Sequence, residues 1–138
     1  MSARVNIAPG RLVRRRILIV ENDMVLSRLL HDLLVQEGSE VAVARDAASA
    51  LVLADSFAPD LIVLDVVLPG GNGFDLCTRW RHTSQAAIVL LTGRSGSVDR
   101  ARGMAAGAAD YITKPFAIDD LMARLSLALH RRPNLRVM

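Results

Sequence analysis

Four places in this sequence carry residue types that are costly where the chain puts them. Asp65 interrupts the apolar run "LIVLDVVL", where an ionised carboxylate costs several kcal/mol unless it is paired or binds a metal. Glu21, Asn22 and Asp23 follow directly on "ILIV", Thr92 follows "IVLL", and Thr113, Lys114 and Pro115 follow the start of "DYIT". Lys114 is the only lysine among 17 basic residues. A compact ammonium suits one charged contact at a phosphoryl group or carboxylate, where a planar guanidinium fits less well. Carboxylates gathered at one place repel each other, and the simplest remedy is a hard divalent cation with oxygen ligands, Mg2+ first. Asp65 could then act as a nucleophile toward a phosphoryl group. The metal and Lys114 would neutralise the phosphoryl oxygens, and the Thr92 hydroxyl would donate to one of them. Each residue also has a plainer reading: a structural salt bridge for Asp65, helix capping for Glu21 and Asp23, an ordinary strand end for Thr92, a solvated lysine for Lys114.

The elements that must position these residues are legible in the hydrophobic pattern. Apolar, β-branched runs at 17–20, 61–64 and 88–91, with weaker ones at 41–43 and 110–113, read as five strands. Three of the five are apolar throughout instead of alternating, as parallel strands covered on both faces must be. Between them lie helical spacings: Leu26, Leu29, Leu30, Leu33 and Leu34; Ala47, Ala50, Leu51 and Ala54; Gly73, Leu76, Cys77 and Trp80; Val98, Ala101, Ala105 and Ala108; Ile118, Leu121, Leu125, Ala128 and Leu129. Asp46, Asn72 and Ser97 stand where N-caps belong, and Gly38 and Gly107 where helices should stop. The pattern is (βα)5. Right-handed crossovers give an α/β fold, a doubly wound parallel five-stranded sheet of flavodoxin-like order 2-1-3-4-5. In such a sheet the ligand crevice lies outside the carboxyl ends of the strands, where Glu21, Asp65, Thr92 and Lys114 fall together.

Length and charge narrow the function. A chain of 138 residues with 51% hydrophobic residues supports one domain with a single well-buried core. The lone Cys77 excludes an internal disulfide and a cysteine-based metal cluster. No apolar run approaches the roughly 18–20 residues of a membrane span, so no membrane partner is expected and a cytoplasmic location is. The formal net charge is +3, but it resides in the ends: Arg4, Arg11, Arg14, Arg15 and Arg16 precede the body, and Arg131, Arg132 and Arg136 follow it, with no acid in either tail. The body retains nine basic residues against fourteen acids and is negative, which disfavours nucleic-acid binding by this domain itself. The tails read as solvated ends, with a specific polyanion contact as the alternative.

At this level the chain resembles a response-regulator receiver domain of two-component signalling over about residues 16 to 132. The resemblance rests on "ILIVEND", "PDLIVLDVVLPGGNGFDLC", "IVLLTGRSG" and "GAADYITKPF", in that family's order and approximate spacing. It implies a receiver domain at 16–131, preceded by a basic, flexible extension at 1–15 and followed at 132–138 by a tail or the start of a linker. It also implies Asp65 as phospho-acceptor, Glu21 and Asn22 at the acidic-pair positions, and Mg2+ held by Glu21, Asn22, Asp65 and the Val67 backbone carbonyl. Thr92 and Lys114 would contact the phosphoryl group, Thr92 and Tyr111 would form the switch, and the Lys114–Pro115 bond would be cis. The implied partner is a sensor histidine kinase or phosphotransfer protein. The implied output is a remodelled surface of helix 4, strand 5 and helix 5. Such a domain is not an enzyme acting on a separate substrate; it catalyses its own phosphorylation and slow dephosphorylation.

The ending "FAIDDLMARLSLALHRRP" further resembles OmpR-type regulators, in which a DNA-binding domain follows and controls transcription. The chain would then be a single-domain regulator or the receiver portion of a longer protein. Asp110, Arg100 and Arg124 suit a homodimer through helix 4, strand 5 and helix 5, although Ala109 replaces an acid usual there. A larger departure is Asn22, an amide where the family has a metal-ligating aspartate. It removes one negative charge from the cation site and predicts weaker Mg2+ binding. The alternative is a pseudo-receiver, an interaction module that works without phosphorylation. A phosphatase of the haloacid dehalogenase type is disfavoured because Val67 stands where its second acid should, and a nucleotide-binding domain because neither G-x-G-x-x-G nor a P-loop follows strand 1.

Overall fold

The computed structural model describes residues 12–130. The five apolar runs become β1 (Arg16–Val20), β2 (Glu40–Ala44), β3 (Leu61–Leu64), β4 (Ala87–Thr92) and β5 (Asp110–Thr113). The helices between and after them are α1 (Met24–Gln36), α2 (Ala47–Phe57), α3 (Gly73–Thr83), α4 (Ser97–Ala105) and α5 (Ile118–His130). The sheet is parallel throughout, in the order β2-β1-β3-β4-β5. A two-residue hairpin, Val67–Leu68 against Gly71–Asn72, is inserted between β3 and α3.

The unbroken apolar strands are explained by two separate cores. Leu18, Val20, Ile62, Leu64, Ile88 and Leu90 face one side, where they pack with α2 and α3 residues such as Ala50, Leu76, Cys77 and Trp80. Their neighbours Ile17, Ile19, Leu61, Val63, Val89 and Leu91 face the other, packing with Leu30 and Leu34 of α1 and Leu121, Leu125 and Leu129 of α5. Alternate residues of each strand are thus buried against opposite helical layers, and no position on the three inner strands can be polar without cost.

Several helix expectations need correction. Val98 is 80% exposed, Ala101 and Ala105 are exposed, and Ala108 lies beyond the end of α4; the buried α4 residue is Gly103. A Cβ at Gly103 would stand 2.7 Å from Leu90 Cδ1 and 2.8 Å from the Tyr111 ring, so α4 approaches β4 and β5 through its least bulky residue, not through its apolar ones. Leu29 and Ile118 are likewise exposed, because α1 and α5 present narrower buried stripes than their leucine spacing suggests. Asp46 and Asn72 cap α2 and α3 through Ser49 N–H and Asp75 N–H, but Ser97 is already helical, and Gly96 precedes α4 with no side-chain cap. Gly38 and Gly107 take positive φ after their helices, as placed.

Residues 12–15, expected within the N-terminal extension, are tied to the body through Leu12 and the backbone. Leu12 is buried in the α1/α5 core, its carbonyl accepts from Ser39 Oγ at 2.6 Å, and Arg14 N–H donates to Gly38 O at 2.8 Å. The remainder of that extension and the 132–138 tail, with Arg4, Arg11, Arg131, Arg132 and Arg136, lie outside the described residues.

Candidate functional site at the carboxyl ends of the strands

Glu21 and Asp65 leave adjacent parallel strands at the same level, and sheet hydrogen bonding fixes both. Glu21 N–H donates to Ala44 O at 3.0 Å, and Asp65 N–H donates to Val20 O at 3.0 Å. Both carboxylates are buried. Lys114 arrives from the far end of β5, where its N–H donates to Thr92 O at 2.9 Å and the Lys114–Pro115 bond is cis. Its Nζ lies 2.7 Å from Glu21 Oε1 and 2.8 Å from Asp65 Oδ2. One ammonium therefore bridges two acids that are 93 and 49 residues away in sequence.

The remaining lone pairs are directed by backbone. Glu21 Oε2 accepts from Asp23 N–H at 3.0 Å, and Asp65 Oδ1 accepts from Val67 N–H at 3.1 Å. Asp23 is the α1 N-cap, accepting from Val25 and Leu26 N–H, so its carboxylate is committed to the helix end. Asn22 is exposed beside Glu21. Gly73 explains how α3 begins so close to Asp65: a Cβ there would stand 2.4 Å from the Asp65 carbonyl oxygen and 2.8 Å from Val66 Cα, and Gly73 N–H donates to Val66 O at 2.7 Å.

The electrostatics follow from burial. Desolvation raises the Glu21 carboxyl above its ordinary value, a shift that the Lys114 hydrogen bond and the Asp23 N–H only partly offset. For Lys114, burial opposes the charge, but the hydrogen bonds to Asp65 and Glu21 outweigh it and raise the ammonium above its ordinary value. Lys114 is thus firmly cationic. With both acids ionised the trio carries one net negative charge, set among oxygen donors.

Thr92 is fully buried, and its Oγ1 accepts from Arg94 N–H at 3.3 Å. The Tyr111 ring is buried and its hydroxyl donates to the Arg94 carbonyl. Of the residues singled out from the sequence, the structure brings Glu21, Asp65 and Lys114 into direct contact and ties Thr92 and Tyr111 to the backbone of Arg94. Arg94 was not singled out from the sequence, because its contacts to Thr92 and Tyr111 run through its backbone, and backbone groups leave no mark in residue type. The Gly73 approach was also missed: Gly73 was counted as a helix-face residue, and only the backbone clash shows why no other residue fits.

The family model for the response regulator receiver domain matches residues 17–126. The chain belongs to the response regulator receiver family. Among its relatives is the DNA-binding response regulator MtrA of Mycobacterium tuberculosis, 42% identical over 119 residues that cover 86% of this chain and 52% of that protein. The chain spans about half the length of the curated relatives it matches. Among solved structures, the BeF3-activated N-terminal receiver domain of Klebsiella pneumoniae RstA aligns with a TM-score of 0.80 and 34% identity, covering 84% of this chain and 99% of that one. The non-phosphorylated HemR receiver domain of Leptospira biflexa aligns with a TM-score of 0.79 and 36% identity, covering 88% and 99%. The receiver fold and its five-stranded order agree with the sequence reading.

Proposed function

We propose that this receiver domain is a phosphorylation-dependent switch in which Asp65 accepts a phosphoryl group from a sensor histidine kinase or phosphotransfer protein. The observation that carries the reading is the buried Lys114 ammonium shared by Glu21 and Asp65. It supplies positive charge at the carboxylate that would bear the phosphoryl group and bridges it to its neighbour Glu21. An Asp65 oxygen attacks the phosphorus of a phosphohistidine, the P–N bond breaks, and its electron pair stays on the imidazole nitrogen, which takes up a proton. Lys114 follows the new charge, and the Thr92 hydroxyl donates to a phosphoryl oxygen. Water later cleaves the acyl phosphate and resets the switch.

The donor set fits Mg2+: carboxylate oxygens of Glu21 and Asp65, the Asn22 amide oxygen and the Val67 carbonyl are all hard ligands at one strand edge. Bound there, the cation would neutralise charge on the phosphoryl group. Asn22 supplies no charge, so the site holds two carboxylates where an aspartate at that position would make three. That single difference motivates the second reading, an interaction module that works without phosphate.

Movement of Thr92 toward the phosphoryl group, with Tyr111 following, would remodel α4, β5 and α5. That surface exposes Val98 and Met104 and carries the Asp110–Arg124 ion pair, features suited to a homodimer. Because the relatives include DNA-binding regulators, the output would be transcription, exerted through a DNA-binding domain outside these residues. Among the described residues no helix is long and apolar enough to cross a membrane, which accords with a cytoplasmic role. The test is intact-mass measurement after incubation with Mg2+ and a small acyl phosphate, with Asp65→Asn as control. A gain of one phosphoryl group in the parent alone is expected. No gain, even with a cognate kinase, would sink the switch and leave the interaction module.

A further inference from the structure

Asn22 and Asn72 both stand just before a helix, and the fold treats them in opposite ways. Asparagine is chemically labile because the main-chain nitrogen of the next residue can attack its side-chain carbon and close a five-membered ring. By residue type Asn72 is the more susceptible of the two, since Gly73 has no side chain to shield its nitrogen. In the fold both of its reacting groups are engaged. Asn72 Oδ1 accepts from Asp75 N–H at 3.0 Å and its Nδ2 donates to Asp75 Oδ2 at 2.9 Å, while Gly73 N–H donates to the Val66 carbonyl at 2.7 Å. A carbonyl oxygen is too weak a base to take that proton.

Asn22 differs in each respect. It is exposed, and among the described residues its side chain has no hydrogen-bond partner. The N–H that follows it, that of Asp23, donates to Glu21 Oε2 at 3.0 Å. A carboxylate oxygen therefore rests on the proton that must leave before the nitrogen can attack. That carboxylate is itself held in place, since Glu21 is buried and its Oε1 lies 2.7 Å from Lys114 Nζ.

We propose that Asn22 is a site of self-deamidation with Glu21 as the base, and that the reaction adds a third carboxylate beside Glu21 and Asp65. Glu21 takes the Asp23 N–H proton, and the nitrogen bonds to Asn22 Cγ. The Cγ–Nδ2 bond then breaks, and the proton returns to the departing nitrogen, which leaves as ammonia. Water opens the ring: cleavage at Cγ leaves aspartate at position 22, and cleavage at the main-chain carbonyl leaves isoaspartate. Water is the only co-reactant, and position 22 passes from neutral to negative. The bearing of this change on Mg2+ rests on the metal reading above, whereas the deamidation itself does not. With that reading, the protein is made with a weak cation site that tightens in the fraction converted to aspartate.

Cleavage after arginine puts Asn22 in the peptide 17–28 and Asn72 in the peptide 46–79, so mass spectrometry follows each site separately. The whole protein is held at neutral pH without divalent cations, folded in one arm and unfolded in urea in the other. In the folded arm the peptide 17–28 is expected to gain one mass unit before 46–79 does, and in urea the order is expected to reverse. Glu21→Gln keeps an oxygen that can accept from Asp23 N–H but is no base, and should slow the folded reaction at Asn22 by about a hundredfold. No gain in 17–28, the same order of sites in both arms, or an unchanged rate in a folded Glu21→Gln variant overturns the proposal. The two arms of the parent decide it even if that variant does not fold. Calorimetric titration with Mg2+ then compares fresh protein with the aspartate form, separated from the isoaspartate form by chromatography. Tighter binding is expected; deamidation with no gain would overturn the metal reading of residue 22 and leave the deamidation standing.

Discussion

Replacing Lys114 with methionine tests the central electrostatic claim. Methionine keeps most of the apolar stem but leaves Glu21 and Asp65, whose side chains are 5% and 10% exposed, without their shared cation. Removing one partner of a buried ion pair costs about 3–5 kcal/mol; because Lys114 is itself 23% exposed and one acid can take up a proton, about 3 kcal/mol is expected at pH 7. With a urea dependence of about 1–3 kcal/mol per molar, the unfolding midpoint should fall by roughly 1–3 M. The loss should depend on pH. In the variant, burial and Asp65 still raise the Glu21 carboxyl, and the lowering influence of Lys114 is gone. An acid whose folded value lies above its unfolded value of 4.5 binds its proton preferentially in the folded state. Stability should therefore rise as the pH falls through the raised folded value, with relief complete below 4.5. Urea titrations of parent and variant at pH 7 and near pH 5, without divalent cations, make the comparison. An equal deficit at both pH values would refute the reasoning, since it would trace the loss to the packing of the lysine stem.

Asn22→Asp is expected to bind Mg2+ more tightly and to take up the phosphoryl group faster; calorimetric titration showing no gain would mean that residue 22 is not at the metal. Gly73→Ala forces a Cβ to within 2.4 Å of the Asp65 carbonyl oxygen, backbone against backbone, and should cost about 3 kcal/mol in urea unfolding; an unchanged midpoint would mean α3 can shift away freely. Asp110 is held below its ordinary value: burial raises it, but the Arg124 hydrogen bonds and the Tyr111 N–H outweigh burial. Its contribution, about 1 kcal/mol, should be complete above pH 3.8 and lost as the pH falls through the lower folded value, so Asp110→Asn should flatten that part of the acid-unfolding curve.

Sequence alone determined the layered fold, because a strand buried on both faces has no tolerance for polar residues and so writes itself as "ILIV", "LIVL" and "IVLL". It also determined where the candidate site lies. Once the strands are parallel, the residue after each one must lie at the same end of the sheet, and Glu21, Asp65, Thr92 and Lys114 follow from that geometry. Asp23 could be set aside as a helix cap for a local reason, since a cap contacts only its own first turn. Tertiary structure decided what depends on contacts distant in sequence or made to backbone. The α4 face was misread because burial there is set by the close approach of Gly103 to Leu90 and Tyr111, which alanine spacing does not encode. Leu12 looked like part of a free tail until its burial beside Ser39 was seen. The pairing of Lys114 with both acids arises only when β5 is brought beside the ends of β1 and β3, and the place of Arg94 between Thr92, Tyr111 and Asp99 only when β4, β5 and α4 meet. A residue's type declares what it can bind, but only the fold decides what it meets.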